Sequence, residues 1–107
     1  MKALLVEPGM NPRMIEIENT LHAFQEAVDG YIQVVETNYE NTVIICNEEG
    51  KIKGLQMNRI LINEFGMYDV IVGNMVVVGV DGEEFCDINP MAATYFSEKL
   101  SGLICEI

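Results

Sequence analysis

Histidine, basic residues and cysteine are all scarce in this 107-residue chain, and each scarcity removes a class of function. With His22 as the only histidine, a Ser-His-Asp or Cys-His catalytic arrangement would have to be built around that one side chain. No P-loop, dinucleotide glycine fingerprint, His-Glu-x-x-His or Gly-x-Ser-x-Gly sequence occurs. Glu48 and Glu49 are adjacent, but neighbours in a turn point apart, and paired-carboxylate catalysis needs groups that converge. An enzyme is the least supported of the function classes left open.

Cys46, Cys86 and Cys105 are odd in number and widely spaced. That suits neither a disulfide framework nor the short-spaced thiolate pairs of a zinc site. Free thiols are expected, with Cys46 a small core side chain at the end of an apolar run, and neither a metal nor a cofactor is expected. The apolar stretch before Glu7 and Pro8 is short of the roughly 7 to 15 residues of a signal-peptide core. No run approaches the roughly 18 to 20 apolar residues of a membrane span. The expected location is the cytoplasm, away from any membrane.

Six basic residues face 17 acidic ones, for a net charge of −11. A field of that sign repels nucleic-acid phosphates and anionic lipid at long range, so no direct nucleic-acid binding is expected. The plain reading of the excess is solubility. A sharper one is a surface that imitates nucleic acid and so occupies a basic DNA-binding protein.

What is present is apolar material. Hydrophobic residues make up 50% of the chain, enough to bury a core without disulfides or metal, and residues 1–107 are read as a single domain. Residues 2–7 read as a buried strand closed by a turn at Pro8 and Gly9. Residues 13–18 alternate Ile15 and Ile17 with Glu16 and Glu18, a strand with one wet face. Asn19 or Thr20 can cap a helix running to about Asp29, with Leu21, Phe24 and Val28 on its apolar face and Gly30 as the left-handed stop. The same spacing turns His22 toward solvent beside Glu26 and Asp29.

Residues 31–37 and 42–46 are β-branched runs joined by a short link, which predicts an antiparallel hairpin, and residues 47–50 form a tight polar turn. Over residues 54–66, Met57, Ile60 and Leu61 fit a short helix in the first half, although residues 60–65 read equally well as extended. Residues 69–80 are the most apolar stretch; interrupted at Gly73 by a bulge, bend or hairpin, they are expected at the centre of the sheet. After an acidic turn at 81–84, Asn89 caps a second helix with Pro90 at its first position. Met91, Tyr95, Phe96 and Leu100 form its apolar stripe. Strand and helix do not alternate strictly, so the expected fold class is α+β, a mostly antiparallel sheet with two main helices and room for a third short one.

One segment departs from the general acidity. Residues 45–59, ICNEEGKIKGLQMNR, contain Lys51, Lys53 and Arg59. Gly50 and Gly54 permit close backbone approach, and Asn47, Gln56 and Asn58 offer paired donors and acceptors. Asn47, Lys51, Asn58 and Arg59 are therefore the candidate ligand-binding residues, for a small anionic ligand such as a nucleotide derivative. The competing reading is a turn and surface helix whose cations balance nearby acids.

VEPG at residues 6–9, GYI at 30–32, NEEGK at 47–51, GL at 54–55, NR at 58–59 and the apolar stretch around Gly73 occur in a distinctive order and spacing. Over about residues 1–80 they resemble the domain-of-unknown-function family numbered 3846, carried by bacteria, their phages and conjugative elements. The chain departs from that pattern at Gln56, where members often have proline, at Asp29, often a second glycine, and at Asn74, often threonine. The resemblance implies no activity and no functional residues. It implies a mobile-element setting, which by association favours a role against or alongside a host system. The leading expectation is a non-catalytic binding or interaction domain whose partner is a host protein or a small anionic ligand, followed by the nucleic-acid mimic and then the enzyme. A homodimer also fits, because a small sheet with two helices would leave one side bare.

Overall fold

Continuous apolar runs build the centre of the sheet, residues 3–6 among them, and polar and apolar residues mix at its edge over residues 13–16. The computed structural model describes residues 1–106. In chain order its elements are β1 (Lys2–Val6), β2 (Arg13–Glu16), α1 (Leu21–Val28), β3 (Ile32–Glu36), β4 (Thr42–Asn47), α2 (Gly50–Lys53), β5 (Met57–Ile62), β6 (Tyr68–Val72), β7 (Met75–Asp81), β8 (Glu84–Cys86), α3 (Pro90–Lys99) and β9 (Ile104–Glu106). The fold is α+β and mostly antiparallel. A six-stranded sheet runs β2-β1-β7-β4-β3, with β8 also on β7. A three-stranded sheet runs β6-β5-β9, antiparallel on one side of β5 and parallel on the other.

The period of two sorts side chains to the two faces of the large sheet. Leu4, Val6, Ile44, Cys46, Met75 and Val77 face one way, and Ala3, Leu5, Ile45, Val76 and Val78 the other. Phe24 and Val28 of α1 close the second face, while Ala92 and Phe96 of α3, with Leu100, join Leu61, Ile71 and Cys105 of the small-sheet layer on the first. Strands covered on both faces read as unbroken hydrophobic runs, as β4 and β7 do. The bare side that the sequence offered as a reason for dimerisation is therefore absent: the chain covers both faces itself.

Helix ends follow local chemistry. Thr20 Oγ1 accepts from the Ala23 N–H at 3.2 Å, and Asn89 Oδ1 from the Met91 N–H at 2.8 Å, with Pro90 in the first turn of α3. The stop of α1 differs from expectation, because Asp29 rather than Gly30 takes the left-handed conformation, with φ of 62°. Gly30 is reserved for close approach: a Cβ there would lie 2.7 Å from Asn47 Nδ2. Leu21 and Met91 were assigned to apolar faces and are exposed instead. Both sit in the first turns of their helices, and Ala92 takes the inward place in α3.

Two larger departures concern residues 54–80. The helical turn falls earlier than expected, at α2, and Gly54 ends it with φ of 69°. Residues 57–62 are extended because β5 is flanked by β6 and β9, so pairing on both edges outweighs the helical spacing of Met57, Ile60 and Leu61. Residues 69–80 are not all central. Gly73, with φ of 73°, parts β6 from β7 and sends them to different sheets. Its N–H reaches Gln56 O at 2.7 Å, and an added Cβ would lie 2.8 Å from Leu55 Cδ1. Only β7 is central; β6 is an edge. Among the described residues no helix is long and apolar enough to cross a membrane.

Candidate functional site

Each sheet ends in a strand with one neighbour. Among the described residues β3 pairs only β4 and β6 only β5, and β2 and β8 in the large sheet and β9 in the small one likewise have a single neighbour. Two adjoining cavities lie between the β3 and β6 edges and share Asp69. One, of about 270 Å³, is lined by Gln33, Cys46, Asn47, the turn carrying Glu48 and Glu49, Lys51 and the β6 residues from Asp69 to Val72. The other, of about 380 Å³, is lined by Val35, Glu36, Leu61, Asn63, Met67 and Tyr68. Together they form a crevice whose floor is apolar and whose rim is acidic. At its open end the β5–β6 turn exposes Phe65 (80%), Met67 (68%) and Tyr68 (72%).

Of the four residues singled out in the sequence, Asn47 and Lys51 belong to this crevice. Asn47 is buried and occupied: Nδ2 donates to Val28 O and Asp29 O at 2.9 Å each, and Oδ1 accepts from the Glu49 N–H at 2.8 Å. It fastens the end of α1 to the turn before α2. Lys51 Nζ lies 3.0 Å from Asp69 Oδ1 in an exposed pair. Glu48, Glu49 and Asp69 outnumber that ammonium in the cavity, an unfavourable setting for an anion. Beneath them the Cys46 thiol is pushed up to about 11, chiefly by burial and then by the Asp69 carboxylate, with Lys51 opposing. It is a neutral core group at neutral pH.

Asn58 and Arg59 lie elsewhere, in a third cavity of about 310 Å³ beside the 8–10 turn and the end of α3. Asn58 Nδ2 donates to Val6 O and Gly73 O, both at 2.8 Å, and so ties the two sheets together. Arg59 is 4% exposed. Its Nε donates to Leu100 O at 2.9 Å, Nη1 to Asn58 O at 3.1 Å and Oδ1 at 2.8 Å, and Nη2 to Met10 O at 2.6 Å. The four candidates thus divide into two pairs that share no cavity.

His22 is exposed and pairs with Glu26 at 2.6 Å. Among the described residues no group of three His, Cys, Asp or Glu side chains is arranged to hold a metal ion. The sequence reading passed over Gln33, Val35, Asp69, Met67 and Tyr68, which line the crevice. A signal for the last two was available, in three large apolar side chains, Phe65, Met67 and Tyr68, set around a glycine turn.

The family model described as a domain of unknown function, DUF3846, matches residues 1–101. No curated protein and no solved structure matches the chain. The match spans nearly the whole sequence, all three helices and eight of the nine described strands, and the chain belongs to that family.

Proposed function

Since membership in a family of unknown function brings no activity with it, we propose from the geometry that this is a non-catalytic interaction domain that receives an extended, basic segment of a partner protein between β3 and β6. The observation that carries the proposal is the pair of unpaired strand edges lining one crevice. An edge strand offers a row of backbone donors and acceptors, and an added strand gains main-chain hydrogen bonds from it while alternate side chains enter pockets. Val35, Leu61 and Val70 would take the apolar side chains, and Glu36, Glu48 and Asp69 the cationic ones. A second copy of this chain is a poor occupant, since each copy carries a charge of −11.

The alternative of nucleic-acid mimicry needs carboxylates in lines at phosphate-like spacing. Here the acids are spread over the molecule, from Glu26 on α1 to Glu98 on α3, which lie on opposite faces of the large sheet. The proposed setting is the reducing cytoplasm of a bacterium carrying a phage or conjugative element, where a host protein supplies the segment; three free cysteines suit such a compartment.

Selection from a displayed library of random heptapeptides tests the proposal. Recovered binders should alternate Lys or Arg with apolar residues, bind more weakly as salt rises, and lose at least tenfold in affinity to Asp69→Lys. Acidic binders, binders indifferent to Asp69→Lys, or no enrichment would overturn it.

A further inference from the structure

Arg59 is a buried cation without an ionic partner. All four of its hydrogen-bond acceptors are neutral oxygens, and among the described residues none of the ion pairs includes it. A guanidinium carries five N–H groups, so one on Nη2 is left without a described acceptor. Taking a charge out of water costs several kcal/mol unless opposite charge or a full set of hydrogen bonds replaces the solvent. The carbonyl at the end of α3, Leu100 O, supplies part of that compensation through the helix dipole. A full counter-charge is missing.

The cavity beside it has a matching peculiarity. Of the five cavities described, the other four are each lined by at least one carboxylate, Glu48, Glu40, Glu64 or Glu36 among them. The Arg59 cavity, in a chain with 17 acids, is lined by none. Its remaining polar lining includes Asn11 and Gln56, whose neutral amides can donate to an oxyanion, and Ser101, whose hydroxyl donates to Glu98 O at 2.7 Å, with Gly9 and Gly102 leaving the backbone open. Its volume of about 310 Å³ is that of a small-metabolite pocket.

We infer that this cavity binds a compact oxyanion, a phosphate or carboxylate group, through the guanidinium of Arg59. The site is separate from the crevice and does not depend on it. The anion would complete the charge of Arg59 and lock the 8–10 turn, held by Met10 O, to β5 and the end of α3. This is the anion site that the sequence placed at Lys51 and Arg59 together; the structure leaves the Arg59 half alone.

The test is a thermal-melting titration of the whole protein with phosphate, sulfate and succinate, each against chloride at matched ionic strength, with backbone amide NMR shifts recorded in parallel. Saturable binding should raise the melting temperature on the order of 10 °C at a hundred times Kd, and the moving amides should be those of residues 9–11 and 101–103. Arg59→Gln could fail to fold, so the diagnostic variant is Ser101→Asp, which places a carboxylate in the cavity lining. It should melt higher than the parent in chloride and lose the anion-dependent rise. Equal melting in all four anions, shifts confined to surface lysines, or an unchanged anion response in Ser101→Asp would overturn the inference. Phosphate and succinate acting alike would mark a general oxyanion site, and phosphate acting alone a phosphate site; either supports it.

Discussion

At the scale of single residues, polar side chains that look like ligands are mostly fasteners. Asn58 holds Val6 O at the end of β1 and Gly73 O in the link between β6 and β7, and its loss removes both hydrogen bonds. Asn58→Ala should cost about 3 kcal/mol, seen as a lower urea midpoint. Lys51→Ala should cost under about 1 kcal/mol, because the Lys51–Asp69 pair is more than half exposed on both sides. Composition could place both residues in one polar segment. It could not say that one is buried against two carbonyls while the other stands in water, since that depends on strands distant in sequence. Cys46 was legible, as an apolar run made it a core thiol. Burial raises it from 9.0 to about 11, so the folded state keeps its proton where the unfolded state has lost it. The stability tied to the neutral thiol is complete below pH 9 and is lost as pH rises toward 11. Urea midpoints at pH 8 and pH 10.5 should fall further in the parent than in Cys46→Ala.

At the scale of elements, the sequence showed the helix caps and the strands of the large sheet other than β8, because Thr20, Asn89 and the apolar runs are local signals. It hid the small sheet. β9 is three residues long and pairs in parallel with β5 across more than 40 positions, and no local pattern announces such a partner. β5 itself carries spacing that fits either period, so only its neighbours decide it. The stop of α1 offers a check on backbone conformation. Asp29 stands at φ of 62°, in the left-handed region that favours glycine. Relief of the Cβ clash favours Asp29→Gly, and the entropy of the freer unfolded chain opposes it. The net should be a gain of about 0.5 kcal/mol, read as a rise of a few degrees in melting temperature.

At the scale of the molecule, α1 covers one face of the large sheet and α3 with the small sheet covers the other, and what stays open is its edges. The acidic rim and the apolar floor come together only when β3 and β6, 36 residues apart at their first positions, line the same crevice. That is why the crevice was not legible in the sequence, although the acidity was. The measurement that bears most directly on it is an amide NMR titration of the protein with a selected basic, alternating peptide. Saturable shifts should concentrate in Ile32–Glu36 and Tyr68–Val72, with new protection from hydrogen exchange on one of the two edges and loss of both effects in Asp69→Lys. Shifts centred on β2 or α1, or none at peptide concentrations that saturate binding, would contradict the proposed docking site.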